Sequence, residues 1–197
     1  MDGYEKRTQQ KKEAILAAAR ELFFANGPSA TSIAEIADVA NVSQVTIYNY
    51  FGSKDRLVHL VMEQYMQEKL AEMEELVARD IPFPEKIEKL LFAKNESAKE
   101  IEDRGFFQFI SMEDPELREM LDEFTQSKTL PTVLRLIKQG QEQGYVNPGI
   151  SAKGVLLFIE GARAIMERPG FFDEDNEKLR REIAELVFYG LLGKTNH

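Results

Sequence analysis

Apolar side chains recur at intervals of three and four residues along this chain. Ile33, Ile36, Ala37 and Ala40 would form one apolar face on a short helix, which needs a partner helix to cover it. A second series runs at helical spacing through residues 57–77 and predicts a long helix. The chain after this series shows no alternation of polar and apolar residues that would predict β-strands, so we predict an all-α protein.

Helix-capping residues divide the region before the long helix into two short helices. The hydroxyl of Ser32 and the carboxylate of Glu35 can form a capping box, which starts a helix near Ile33. Asn41 tolerates a left-handed backbone, and Ser43 is a good cap for a following helix from about Gln44 to Phe51. Two short helices joined by a tight turn are the layout of a helix-turn-helix DNA reader.

The second short helix has two different sides. At about 100° per residue, Ile47, Tyr50 and Phe51 fall together on one side, while Val45 and Asn49 lie nearly opposite. In a major groove, the side chain of Asn49 can bond adenine, and that of Val45 can touch a thymine methyl group. The outward side therefore predicts contacts with base edges.

Other polar groups flank this outward pair. The hydroxyls of Thr46 and Tyr48 would point toward phosphates, Gln44 would join the base contacts, and Lys54 would supply a further phosphate partner. The predicted DNA-binding residues are Thr31, Ser32, Gln44, Val45, Thr46, Tyr48, Asn49 and Lys54. The alternative is a three-helix unit that serves packing alone.

Three motifs carry a family resemblance over Lys11 to Leu57. They are Ala-x-x-Leu-Phe-x-x-x-Gly in the first helix, Thr-Ser-x-x-x-Ile-Ala from Thr31, and Thr-Ile-Tyr-x-Tyr-Phe-x-x-Lys ending at Lys54. In these three motifs the region resembles the DNA-binding domain of the tetracycline-repressor (TetR) family of bacterial regulators. The family's fold is a helix-turn-helix domain followed by a helical ligand-binding and dimerisation domain.

The resemblance implies roles for single residues. Those matching Thr46, Tyr48 and Lys54 bind the DNA backbone in the family, and those matching Gln44, Val45 and Asn49 face bases. Asn41 stands where the family usually has Gly, and Val45 stands where many members carry a polar residue or Pro. Both departures leave the fold intact and bear only on the operator sequence.

Length and charge indicate two subdomains of one regulator-sized unit. We assign 1–53 to the helix-turn-helix domain and 54–197 to a helical effector-binding and dimerisation domain. The net charge is −9, yet residues 1–56 hold seven basic and seven acidic residues, against 18 and 27 in the remainder. The basic residues Lys6, Arg7, Lys11 and Lys12 could reach DNA or form a solvated terminus.

The composition disfavours other classes of protein. The chain has no Cys, its two histidines are His59 and His197, and it shows no Gly-rich phosphate loop or metal-ligand spacing, so we expect no enzyme, no cofactor and no metal. No apolar run is long enough to cross a membrane, and we expect a soluble cytoplasmic protein. A dimeric protein whose N-terminal domain binds another protein remains an alternative.

Prolines and capping residues divide the second subdomain into further helices. We predict helices over about 85–102, from Asp114 and Pro115 onward, from Pro131 to 143, over 151–167 and over 176–192. The last two carry more apolar surface than one inward face needs, and in TetR-like proteins the last two helices make the dimer. The predicted dimer interface comprises Phe158, Gly161, Ile165, Ile183, Leu186, Val187 and Gly190. Alternatively, these helices are central in a monomer.

Methionine and aromatic side chains are frequent in the second subdomain and suit an adaptable apolar pocket. The resemblance implies a small-molecule effector there, and the candidate pocket residues are Met62, Tyr65, Met66, Phe92, Phe106, Phe107, Phe109, Met112, Phe124, Phe158, Glu160 and Arg163. Packing of a helical core is the alternative role for most of them. Glu160 and Arg163 lie three residues apart and could pair at the dimer seam or meet a charged effector.

Overall fold

A computed structural model describes two long stretches of the chain and isolated positions near its C-terminus. The described residues are 3–92, 114–166, 168, 176, 178, 179, 181–183, 185 and 186. Every regular element among them is a helix, which confirms the all-α prediction. The helices are α1 (Gly3–Asn26), α2 (Ile33–Val39), α3 (Gln44–Phe51), α4 (Lys54–Ala78), α5 (Phe83–Phe92), α6 (Pro115–Phe124), α7 (Leu130–Glu142) and α8 (Ala152–Met166).

The described residues fall into two compact units. The N-terminal unit ends at Gln67, and the C-terminal unit begins at Glu68, so the division lies inside α4. The predicted division of roles between 1–53 and 54–197 places its boundary where α4 begins, and it stays a prediction.

The described part of the N-terminal unit has buried core residues on each of α1, α2, α3 and α4. Ile15 and Phe23 of α1, Ile36 of α2, Ile47 of α3 and Leu57 of α4 are all buried. Burying a large apolar side chain is worth about 1.5–3 kcal/mol, so these residues stabilise the small helices that could not persist alone. The apolar side predicted for α2 is the side that packs.

Residues from both sides of the undescribed segment build the core of the C-terminal unit. It contains Val77, Phe83, Ile87, Leu136, Ile137, Val146 and Val155. Gly140 lies in close packing, because a Cβ atom there would come within 2.7 Å of Val146 Cγ2 and 2.8 Å of Phe83 Cε2. A larger side chain would therefore separate α7 from α5.

One predicted helix boundary needs correction. The helix predicted from Glu85 begins at Phe83 and is described to Phe92, and the remainder of its predicted span lies outside the described residues. The helix start predicted at Pro131 is confirmed, since Pro131 lies in the first turn of α7, and one π-helical turn, Thr125–Thr129, joins α6 to α7 before it. Proline lacks an N–H and its ring clashes with the carbonyl four residues earlier, and a wider turn accommodates both defects.

Two other predicted elements agree with the structure. Asp114 caps α6 by accepting bonds from the N–H groups of Glu116 and Leu117, with Pro115 in the first turn as expected. The helix predicted over 151–167 is α8. Helical backbone also occurs at described positions between 178 and 186, within the predicted last helix.

Candidate nucleic-acid interface

The capping box predicted for α2 is present. Ser32 caps the helix by accepting a bond from the Glu35 N–H at 3.2 Å, and the Glu35 carboxylate accepts from the Ser32 N–H at 2.7 Å. Two N–H groups that the helix itself leaves unpaired are thereby satisfied. This short helix therefore starts where the local sequence predicts.

The turn between α2 and α3 has the expected left-handed residue. Asn41 has φ 52°, and the Val42 N–H donates to the Ala37 carbonyl at 2.9 Å, which closes the turn. Ser43 then caps α3 by accepting from the Thr46 N–H at 3.1 Å. Asn is one of the few residues besides Gly that adopt this backbone readily, so the departure from the family pattern at Asn41 is accommodated.

Helix α3 buries one side and exposes the other as predicted. Ile47 is 1% exposed and Phe51 6%, whereas Val45 is 66% exposed and Tyr48 49%. Gln44 and Asn49 are also exposed. A row of exposed side chains on a helix that the core holds firmly is the geometry needed to insert into a DNA groove.

Two hydroxyls of the predicted DNA-binding residues, those of Thr46 and Ser32, are oriented by neighbouring side chains. The hydroxyl oxygens of Thr46 and Ser43 lie 2.8 Å apart. The Ser32 hydroxyl donates to the Glu35 carboxylate at 2.7 Å. These bonds reduce the freedom of the hydroxyls before any ligand arrives. Sequence reasoning missed both, although the Ser32 and Glu35 spacing was a signal for the second.

Thr31 departs from its predicted role. Its side chain is buried, and its hydroxyl donates to the Gly27 carbonyl at 2.9 Å and approaches the Leu22 carbonyl at 3.2 Å. The hydroxyl therefore fixes the connection between α1 and α2. This burial does not support a contact between the Thr31 side chain and DNA, because the side chain has no surface to offer.

Two basic side chains lie close to the short helices. Lys54, at the start of α4, is half-buried, and its positive charge is among the influences on Glu35. Hydrogen bonds from the hydroxyl and the N–H of Ser32, followed by the charge of Lys54, lower the pKa of Glu35. Lys12 of α1 lies over the ring of Tyr50, 5.6 Å from its centroid, a contact that no sequence signal indicated.

The candidate pocket residues separate between the two units. Met62, Tyr65 and Met66 are buried in the N-terminal unit, where the Tyr65 ring packs 5.0 Å from that of Phe24 between centroids. In the C-terminal unit, Phe124 is half-buried and Phe158 is 42% exposed. The side chains of Phe92, Phe106, Phe107, Phe109, Met112, Glu160 and Arg163 lie outside the described part of the chain.

Some residues of the predicted dimer interface are exposed. Leu186 is 68% exposed, and Phe158 lies beside Leu157, which is also exposed. Gly161 is exposed, Ile165 and Ile183 are half-buried, and Val187 and Gly190 lie outside the described residues. Such apolar exposure favours an interaction surface, although it does not identify the partner.

Two further kinds of feature bear on the class of protein, a membrane span and a metal site. No helix in the described stretches has both the length and the apolar character needed to span a membrane. Within those stretches, no group of three or more His, Asp or Glu residues is arranged to hold a metal ion.

Known proteins resemble part of the chain in sequence. Residues 15–61 match the family model of bacterial regulatory proteins, tetR family. The HTH-type transcriptional regulator YhgD of Bacillus subtilis is 32% identical over 83 residues, which cover 42% of this chain and 44% of that protein. The HTH-type transcriptional repressor Rv3405c of Mycobacterium tuberculosis is 46% identical over 50 residues, covering 25% and 27%. The matched segments thus span less than half of either relative.

Solved structures resemble the chain over nearly its whole length. The fatty acid degradation regulator FadR of Bacillus halodurans has a TM-score of 0.73 at 20% identity, covering 95% of this chain and 97% of its own. FadR of Bacillus subtilis, solved with stearoyl-CoA, has a TM-score of 0.70 at 21% identity, covering 91% and 98%. At these identities the likeness shows the fold. Residues 15–61 of the chain therefore carry the sequence pattern of the tetR family of bacterial regulatory proteins.

Proposed function

We propose that this protein is a sequence-specific DNA-binding regulator of transcription, acting as a repressor at a palindromic operator. The observation that carries the proposal is helix α3, which exposes Gln44, Val45, Tyr48 and Asn49 while Ile47 is buried in the core. This helix lies within the segment that matches the tetR family. Repression is supported by the name of the relative Rv3405c, a transcriptional repressor.

Selection from a random duplex pool tests this function. The purified protein should enrich a palindrome, because two DNA-binding units related by a two-fold axis read half-sites about 34 Å apart or a multiple of it. Tyr48→Ala should fail to enrich it, since the exposed Tyr48 side chain can be removed without disturbing the core. Absence of enrichment at low salt would favour the alternative in which this unit binds another protein.

A homodimer completes the proposal. The exposed apolar side chains of Leu157, Phe158 and Leu186 suit a partner surface in the C-terminal unit. Sedimentation analysis should give a dimer for the wild-type protein and a shift toward monomer for Leu186→Lys. The matched control is Ile150→Lys, which places the same charge at an exposed apolar position outside the predicted interface. Equal behaviour of both variants would remove Leu186 from the interface.

A small-molecule effector is the last part of the proposal. The FadR structure from Bacillus subtilis contains stearoyl-CoA, which makes that compound a suitable first probe. It should weaken operator binding by shifting the helices of the C-terminal unit and, through α4, the position of the recognition helix. Such coupling typically amounts to about 1–3 kcal/mol. Unchanged operator affinity in the presence of demonstrated stearoyl-CoA binding would exclude release by this compound.

A further inference from the structure

The carboxylate of Glu35 contacts Ser32, one of the predicted DNA-binding residues. Its Oε2 atom accepts hydrogen bonds from the Ser32 hydroxyl and from the Ser32 N–H, both at 2.7 Å. A hydroxyl that donates to a carboxylate has no second proton to offer a phosphate. Ser32 must therefore leave Glu35, at least through its hydroxyl, before it can donate to DNA.

Lys54 is a predicted phosphate partner whose charge acts on this carboxylate. Its positive charge acts on Glu35 with the same sign as the two Ser32 hydrogen bonds, all three favouring the ionised carboxylate. Coulomb attraction is mutual, so a phosphate that binds Lys54 competes with the attraction of Glu35. Because Glu35 is exposed, this charge also repels an approaching phosphate.

Resting on the proposed function, we propose that Glu35 is an intramolecular competitor of the DNA phosphates, which holds the Ser32 hydroxyl and offsets the charge of Lys54 until DNA replaces it. A carboxylate resembles a phosphate in charge and in its acceptor oxygens. Glu35 thus lowers the affinity for all duplexes alike and leaves the preference for the operator to the exposed residues of α3. Two parts of this role can be separated, because a neutral acceptor preserves the cap and still accepts from the Ser32 hydroxyl, whereas the repulsion of phosphates and the attraction to Lys54 require the negative charge.

The variant Glu35→Gln separates these roles. Glutamine retains an acceptor for the Ser32 N–H and so preserves the capping box, but it carries no charge. On the duplex that the wild-type protein selects, Glu35→Gln should bind about threefold to tenfold more tightly at low salt. The slope of log K against log salt should become steeper by up to about 0.9, because one additional phosphate contact releases its counterions.

A matched control removes the same charge elsewhere in the N-terminal unit. Glu21 of α1 is also an exposed glutamate, and Glu21→Gln makes the same chemical change away from the capping box of α2. It should alter affinity and salt slope by much less than Glu35→Gln, since the Ser32 N–H and hydroxyl donate to Glu35 and not to Glu21. Adding Lys54→Ala to Glu35→Gln should reduce the gain in DNA affinity. The Lys54 ammonium, which Glu35→Gln makes more available to a phosphate, is then missing.

Several results would overturn the inference. Weaker binding by Glu35→Gln, or a change equal to that of Glu21→Gln, would show that Glu35 acts only as a structural cap. Thermal unfolding shows whether each variant is folded. Glu35→Ala serves as a second variant, and its folded molecules must also bind the duplex more tightly than the wild-type protein does. If the wild-type protein selects no sequence, the proposed function fails separately. Glu35→Gln and Glu21→Gln are then compared on a random-sequence duplex at low salt, where Glu35→Gln must still show the larger gain in affinity.

Discussion

Polar side chains that hold the backbone find their partners at different distances along the chain in the two units. Within the N-terminal unit, Ser32 bonds Glu35 and Ser43 bonds Thr46, each pair separated by three residues. Within the C-terminal unit, the Gln139 side chain bonds the Val77 carbonyl, 62 residues away. The surface proposed to read DNA is thus shaped by local signals, whereas the second unit depends on contacts that form only once the chain has folded.

The buried Lys86 shows what long-range packing adds. Its side chain is only 3% exposed, and its ammonium donates to the Val77 carbonyl at 2.7 Å and to Gln139 Oε1 at 2.8 Å. Gln139 also donates to the Val77 carbonyl, at 3.2 Å. The C-terminal end of α4 therefore meets α5 and α7 at one carbonyl group, where a positive charge is favoured by the helix dipole.

The largest expected effect is on the core of the C-terminal unit. Phe83 is fully buried, so Phe83→Ala should lower the free energy of unfolding by about 3–5 kcal/mol, measured from denaturant midpoints. The stacked ring of Tyr145, 6.3 Å away between centroids, is partly exposed, and Tyr145→Ala should cost clearly less. Equal losses for the two variants would show that burial does not distinguish these rings.

A substitution on α3 should affect DNA recognition and leave stability unchanged. Asn49→Ala should reduce discrimination at one base pair of the selected duplex by about 1–3 kcal/mol, while leaving the unfolding midpoint unchanged because Asn49 is exposed. Binding titrations with matched and altered duplexes measure this. Val39→Ala is the control, since Val39 is exposed on α2. Loss of stability without loss of discrimination would contradict the proposed division of roles.

Close packing of α5 and α7 gives a third test. The Cβ atom of Gly140→Ala would meet Phe83 and Val146 side chains within 3 Å, and the overpacking should cost about 1–3 kcal/mol. A Cβ atom at Gly154 would have Ser151 Oγ as its nearest neighbour, at 3.6 Å, so Gly154→Ala should be neutral or stabilise α8 by up to about 1 kcal/mol. A thermal unfolding series compares the two variants, and equal stability would show that α5 and α7 can yield to the added methyl group.

The Lys86 contacts give a smaller effect. Lys86→Ala should lower the free energy of unfolding by about 1–2 kcal/mol, because the Gln139 oxygen loses its donor and the lysine stem leaves a void. Lys86→Met retains most of the packing and should cost less. Lys89→Met provides the comparison at a position whose ion pair with Glu85 is exposed, and it should change stability little.

These two kinds of contact explain how far the sequence could predict the structure. The bounds of α2 and α3, the left-handed Asn41 and the caps at Ser32 and Ser43 followed from neighbouring residues. The buried position of Lys86 could not be predicted in this way, because its partners are remote in sequence. The π-helical turn before Pro131 also escaped prediction, since proline signals a disturbance without specifying how the backbone resolves it.

Prediction of the candidate site was limited for the same physical reason. The outward residues of α3 follow from helical periodicity, and their exposure agrees with that reasoning. The surroundings of Thr31 and Tyr65 depend on how α1 packs against later segments, through the Leu22 carbonyl and the Phe24 ring respectively. Periodicity alone identifies which side of a helix is apolar, but it does not identify which neighbour covers that side.

The smallest expected effect tests the most local of these signals, the turn residue Asn41. With φ at 52°, Asn41→Ala should lose about 1 kcal/mol of stability, since Cβ crowds the carbonyl in a left-handed backbone and alanine lacks the amide that helps Asn tolerate it. Asn41→Gly removes the crowding and should stay within about 0.5 kcal/mol of the wild-type protein, because the relief is offset by the greater freedom of glycine when unfolded. Thermal unfolding measures both. Equal stability of the two variants would mean that the turn between α2 and α3 is held by the core and not by its own residue, and the N-terminal unit would then depend on long-range contacts as the C-terminal unit does.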